Sequence, residues 1–344
     1  MSTEPTDTTV KDVQVLLDLM FPTSGQCLGI AAELGVADLL ADGPLGIAEL
    51  AEKASAHQHA LQSTLQILAE DGIFAEVEPG VFANTSRSEL LRAGVPNSQH
   101  VMSQFAASEW LWHSYAKLGH SVKTGQAAFD EAYGMSLWAF LGRNPEKGRE
   151  FNAAMNEFSA TLGPRIVADY PRFGEAGAIA DLGGGTGTYL ATILEQYPSV
   201  SRGVLADLPP VIEQAKARPD LAGLVEGGRL EFHPGDFFET VPAGVDLYVC
   251  KQITHSWNDE KLLSVLKRCR DASPTARIAA AELVLRPGVQ KFVKYFDVMM
   301  LVTMAGFLRT EEQYAEVFRQ AGYRLERVVP TQTAFSIIEA VPVD

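Results

Sequence analysis

This sequence predicts an α/β fold, a Rossmann-like doubly wound parallel sheet preceded by a smaller helical domain, on three observations. Short apolar runs alternate with helical stretches after Pro171, and a glycine-rich turn joins the first of those runs to a helix. The first hundred residues instead carry helical spacing with one hairpin-like pair of runs. The length of 344 residues, at roughly 150 per domain, sets a prior of about two domains. With 47% apolar and 21% charged residues, the chain has enough apolar surface to bury a core and is not of disordered type.

The opening MSTEPTDTTVKD is polar and acidic, without the basic and apolar regions of an export signal. Apolar residues then recur at helical spacing from Val13 to Met20 and again through LGIAAELGVADLL, which stops at the Gly43-Pro44 breaker. IAELAEKA and HQHALQSTLQILAEDG form two more helices, and IFAEVEPGVFANT turns back on itself at Pro79-Gly80. Three helices and a hairpin make a winged helix, expected over residues 1–104. From Gln99 to about Tyr170, long helical segments carry Trp110, Trp112, Trp138, Phe140 and Phe151, and residues 105–170 are read as a helical connector contributing to a substrate pocket. Residues 171–344 hold the sheet: AIADL, RGVLADL, RLEFHPGD, VDLYVCK and RIAAAELVL alternate with helices and should run parallel. YRLERVVP and AFSIIEAVP are too close in sequence for a crossover and should pair antiparallel at the edge.

A winged helix raises the possibility of a DNA-binding regulator that senses a small molecule. Against it, the net charge is −15, from 28 basic and 43 acidic residues, and from Ser55 to Gly72 the second helix region has no Lys or Arg to meet phosphate. The domain is therefore expected to hold a homodimer together and to bind no nucleic acid. Cys27, Cys250 and Cys269 are an odd number without CxxC spacing, which speaks for a reducing, cytoplasmic setting and against a disulfide framework or zinc site. No window approaches 18 uncharged apolar residues, so no membrane is expected as a partner.

The segment AIADLGGGTGTYLATIL carries the chemistry. Gly183, Gly184, Gly185 and Gly187 let backbone approach a ligand, but Thr188 stands where a dinucleotide fingerprint needs its third glycine. Asp181 before the loop would repel a pyrophosphate yet could hold an ammonium group, directly or through water. Asp207, ending the next run in LADLP, suits both hydroxyls of a ribose.

The order DLGGGTG, LADLP, PGDFFE, KQITHSW resembles that of class I S-adenosylmethionine-dependent methyltransferases, specifically the small-molecule O-methyltransferases of plant phenylpropanoid and bacterial antibiotic-tailoring type. The likeness covers nearly the whole chain, including FNAAM at Phe151 to Met155. It implies S-adenosylmethionine as cofactor, with no metal, held by Asp181, Gly183, Gly185, Asp207 on the ribose, Leu208 on the adenine, Asp236 and Phe237 at the base, and Lys251 nearby. By residue type alone Asp236 reads as a turn residue, Phe237 as core and Lys251 as a solvated strand-end charge. The likeness further implies a small aromatic substrate lined by Met155, Trp257, Met300 and Leu308.

His255 follows the fourth parallel run on a loop at the carboxyl edge, where sheets of this kind bind ligands, and its ordinary pKa near 6.5 suits deprotonation of a phenol. The likeness makes it the general base, with Glu282 orienting its other ring nitrogen. Two positions depart from the family. Many members have HDW where this chain has His255, Ser256 and Trp257, and a second glutamate where it has Leu308. Fewer carboxylates imply a weaker base or a more acidic hydroxyl, and a more apolar pocket. Some members keep the cofactor without transferring its methyl and promote hydroxylation, decarboxylation or pericyclic chemistry instead, which is the alternative reading.

Overall fold

The computed structural model describes residues 8–21 and 23–343, and the start of the polar N-terminal tail lies outside them. The chain forms two compact units, the first ending at Glu109 and the second beginning at Trp110.

In the first unit the helices Ser24–Glu33, Ile47–Lys53 and Gln58–Glu70 pack their apolar stripes around Leu50, Leu61, Leu65, Leu68, Phe74 and Phe82, all essentially buried. His57 caps the last of these helices, its Nδ1 accepting the Ala60 N–H at 3.4 Å. The wing is a three-stranded antiparallel sheet in which β1 (Leu45–Gly46) and β2 (Phe74–Glu78) flank β3 (Val81–Asn84). Gly80 makes the hairpin turn at φ +73°, a conformation that costs a residue with a Cβ. The helix Thr8–Met20 exposes Val10, Val13, Leu16, Leu17 and Leu19 to solvent.

The expectation of long helices from Gln99 to about Tyr170 is corrected. His100–Ala106, Glu109–Tyr115, Leu118–Thr124, Ala128–Tyr133 and Leu137–Arg143 span two turns or less, and Pro145–Ala168, of 24 residues, is the long one. Two of the short helices end on glycines in the left-handed region, Gly125 at φ +71° and Gly134 at φ +66°, and Asn144-Pro145 breaks the chain before the long helix. Aromatic spacing survived those breaks and concealed them. Trp110, Phe129, Tyr133 and Phe140 still gather into one cluster with ring centroids 4.6 to 6.1 Å apart.

The second unit is built on a seven-stranded sheet. Its strands are β4 (Ala178–Leu182), β5 (Arg202–Asp207), β6 (Leu230–Pro234), β7 (Leu247–Lys251), β8 (Arg277–Glu282), β9 (Tyr323–Pro330) and β10 (Ser336–Pro342), in the order β6-β5-β4-β7-β8-β10-β9. The pairs β6-β5, β5-β4, β4-β7 and β7-β8 are parallel, while β10 runs antiparallel to β8 and β9, as the short connection required. Alternate residues face two cores: Ile179, Leu205, Val249, Ala279 and Ile337 on one side, Ala180, Val204, Tyr248, Ile278 and Ile338 on the other. The strand order reverses direction between β5-β4 and β4-β7, so the carboxyl ends of β4, β5, β7 and β8 meet at a topological switch point. Among the described residues no single helix is long and apolar enough to cross a membrane.

Candidate active site

The glycine loop leaves β4 at that switch point and enters the helix Thr188–Gln196. Gly183, Gly185 and Gly187 all have positive φ. A Cβ on Gly184 would lie 2.6 Å from Asp181 Oδ2, so the loop lies as bare backbone over that carboxylate. Asp181 is 1% exposed and neither of its oxygens has a hydrogen-bond partner. Burial pushes its pKa up to about 8, with nearby Lys251 working the other way and Asp207 adding to the rise. An orphaned acid beneath an open cradle fits a ligand that brings an ammonium group and does not fit a pyrophosphate.

Asp207, at the end of β5, accepts the N–H of Gly185 at 2.8 Å and that of Leu208 at 2.7 Å. Burial raises its pKa to about 6 against those two hydrogen bonds. Leu208, beside it, is 43% exposed. Asp236 is a turn-former, its Oδ1 accepting the Phe238 N–H at 2.8 Å, which leaves Oδ2 for another donor. Phe237 packs partly buried against the sheet, 3.4 Å from where a Gly183 Cβ would stand, so both features border the same loop. Lys251, ending β7, donates to Gln252 Oε1 at 2.5 Å and lies over the Phe158 ring at 5.8 Å. Burial lowers its pKa to about 8, partly opposed by Asp181 and Glu282.

Three residues after the end of β7, the segment Thr254–Ser256 carries His255, 2% exposed. Its Nδ1 lies 2.6 Å from Oε2 of Glu282, the last residue of β8. The other oxygen of Glu282 accepts the N–H of Ile253 at 3.0 Å and both the N–H and the hydroxyl of Thr254 at 2.7 Å. Burial raises the Glu282 pKa, but the His255 ring and the Thr254 donors outweigh it and hold the carboxyl below its ordinary value. An ionised carboxylate only accepts, so Nδ1 carries a proton towards Glu282 and Nε2 is the ring nitrogen turned away from it.

Around this pair, Phe296 meets the His255 ring edge to face at 5.1 Å, and Met300 and Leu308 are buried in the same apolar cluster. Met155 is half-buried on the helix Pro145–Ala168. Trp257 stands apart from them: its ring contacts Phe237 at 6.2 Å, Phe238 at 4.8 Å and Trp138 at 6.3 Å, on the side of the Asp236 turn.

Sequence reasoning missed four participants. Asn156 accepts from the hydroxyls of Thr186 and Thr188 at 2.8 and 3.3 Å, and Arg218 donates to the Thr186 carbonyl at 3.0 Å, so the two brace the glycine loop from outside. Tyr314 bonds the Thr254 hydroxyl at 2.8 Å, and Arg309 holds the loop of His255. Asn156 adjoins FNAAM and Arg309 follows Leu308, so both stand beside positions the sequence singles out; Arg218 and Tyr314 carry no local signal.

Comparison with known proteins bears on this arrangement. Residues 115–324 match the O-methyltransferase domain and residues 17–94 the O-methyltransferase dimerisation domain. The phenazine O-methyltransferase of Lysobacter antibioticus is 37% identical over 92% of both chains. The structure of mitomycin 7-O-methyltransferase superposes with a TM-score of 0.89 at 32% identity, over 98% of this chain and 100% of that one. An O-methyltransferase from neocarzinostatin biosynthesis, solved with S-adenosylmethionine and 2-hydroxy-5-methyl naphthoic acid, gives a TM-score of 0.79 at 28% identity, over 93% and 96%.

Proposed function

This chain belongs to the O-methyltransferase family and is an S-adenosylmethionine-dependent enzyme, and from that premise we propose that it methylates a phenolic hydroxyl of a small aromatic natural product with His255 as general base. The observation that carries the reading is the buried His255–Glu282 pair at the carboxyl edge of the sheet. S-adenosylmethionine supplies a methyl group made electrophilic by the adjoining sulfonium charge. In this reading Asp207 takes the ribose hydroxyls, Asp181 the amino group, and Leu208, Asp236 and Phe237 the base, with Gly183, Gly185 and Lys251 beside them.

In-line methyl transfer needs a nucleophile aligned and free of its proton. Nε2 of His255 takes that proton, and the imidazolium so formed faces Glu282 across 2.6 Å in a site shielded from water. With Ser256 and Leu308 uncharged, this stabilisation falls to Glu282. Phe296, Met300 and Leu308 offer the acceptor an apolar wall, with Met155 proposed to contribute from residues 105–170, while Trp257 packs on the side of Phe237 and Phe238 and would meet the acceptor only from there. A wall of this kind favours flat, weakly polar rings whose hydroxyl is acidic enough for a base with one carboxylate partner.

The dimerisation match, and the apolar residues exposed on Thr8–Met20, support a homodimer joined through residues Val13 to Leu40. Cysteines that stay free in the fold suit a cytoplasmic setting.

The test is a panel of hydroxyphenazine, 3-amino-4-hydroxybenzoate and dihydroxynaphthoate acceptors with methyl-labelled S-adenosylmethionine. One labelled methyl on an acceptor oxygen is expected. Label confined to nitrogen contradicts the phenol assignment, and acceptor consumed while the donor keeps its methyl moves the enzyme to the alternative chemistry.

A further inference from the structure

Arg309 is fully buried, yet its carboxylate partner Asp259 is 60% exposed. Burying a guanidinium is costly and the exposed pair returns little, so its place calls for another reason. Its remaining bonds supply one. Nη1 donates to the Thr254 carbonyl at 2.7 Å and Nη2 to the Trp257 carbonyl at 2.7 Å, while Nε and Nη2 reach Asp259 Oδ1 at 2.9 and 2.7 Å. Those acceptors bracket His255, one residue before it and two after.

The strand of chain that carries Arg309 also closes on His255 directly. The N–H of Phe307 donates to the His255 carbonyl at 3.0 Å, and a Cβ on Gly306 would come within 2.2 Å of the same oxygen. The guanidinium lies over the Phe307 ring at 4.4 Å, so its plane is fixed as well as its charge. Only a planar fork reaches both carbonyls and the carboxylate together; a lysine ammonium cannot.

We propose that Arg309 is a positioning residue that clamps the turn 254–257 and thereby sets the His255 ring against Glu282. Its effect on turnover rests on the reading of His255 as the base; its effect on geometry does not.

The experiment uses full-length protein labelled with ¹⁵N-histidine, bound to S-adenosylhomocysteine. It follows the low-field Nδ1–H resonance expected of the 2.6 Å His255–Glu282 bond, assigned by its loss in His255→Ala. Arg309→Met should keep its circular dichroism and its S-adenosylhomocysteine affinity, lose or broaden that resonance, and lower kcat by about 10²-fold with KM less affected. Arg309→Lys should recover part of both signals. An unchanged resonance and kcat in Arg309→Met overturns the proposal, as does a loss of cofactor affinity that matches the loss of turnover. A lost resonance with unchanged kcat upholds the clamp and overturns the role of His255 as base. Should the Met variant fail to fold, Arg309→Lys decides, because it keeps the charge without the fork: wild-type resonance and kcat there refute the clamp.

Discussion

Asp207 binds the N–H of Gly185 at 2.8 Å, tying the glycine loop to the end of the neighbouring strand with the carboxylate assigned to the ribose. A carboxylate has about four acceptor sites. Gly185 and Leu208 take one on each oxygen, which leaves one on each for a vicinal diol. The proposed reading therefore gives the residue a binding duty beside its structural one.

Removing it should cost both. Asp207→Ala is expected to weaken S-adenosylhomocysteine binding by about 10²-fold or more, since charge-assisted hydrogen bonds contribute about 1.5–3 kcal/mol each. Calorimetry decides it, and unchanged affinity removes the ribose assignment.

The pH dependence of binding carries a definite sign. Asp207 and Asp181 have pKa values raised to about 6 and about 8, so in the free protein their contribution to stability is full below the ordinary carboxylate range and is lost as pH rises through those values. Hydroxyl and ammonium groups prefer the ionised carboxylates, so cofactor affinity should rise with pH and binding should release protons. From about pH 5 to 7 Asp181 is protonated in the free protein and should release its proton when the ammonium group binds, with Asp207 adding a fraction that fades above about 6. Calorimetry at pH 6 in buffers of different ionisation enthalpy should show proton release, and Asp207→Asn should release fewer protons than wild type. Proton uptake would reverse the assignment.

Glu282 and His255 should behave as one unit. Glu282→Gln keeps the shape of the contact without its charge, so it should slow turnover less than His255→Ala, and the double variant should be little worse than His255→Ala. Additive losses would separate the two residues. Because the Glu282 pKa is depressed, its contribution to stability is present above the ordinary glutamate range and lost as pH falls through the lowered value, and Glu282→Gln should reduce acid sensitivity there.

The first unit should dimerise and leave duplex DNA alone. Light scattering at micromolar concentration is expected to give twice the 37.3 kDa chain mass. A monomer contradicts this, and a salt-sensitive shift of labelled duplex would restore the regulator reading.

Much of this was legible in the sequence because it is local. The glycine loop, the strand-end acids Asp181 and Asp207 and the antiparallel β9-β10 pair each follow from a few consecutive residues. The meeting of His255 and Glu282, 27 positions apart, was foreseen only through family likeness. The short helices between 100 and 143 were hidden because tertiary aromatic packing kept helical spacing across glycine breaks. Arg309 adjoins Leu308 in sequence, but the carbonyls it binds lie more than fifty residues away, where no local pattern points to them.

The most direct test is single-turnover methyl transfer from labelled S-adenosylmethionine to the acceptor found by the panel, in wild type and His255→Ala, each saturated with cofactor. If His255 takes the acceptor proton, the variant should bind cofactor as wild type does and transfer methyl about 10²- to 10⁴-fold more slowly. Transfer at near wild-type rate would contradict the account, leaving alignment alone, or an acceptor already ionised, to explain the reaction.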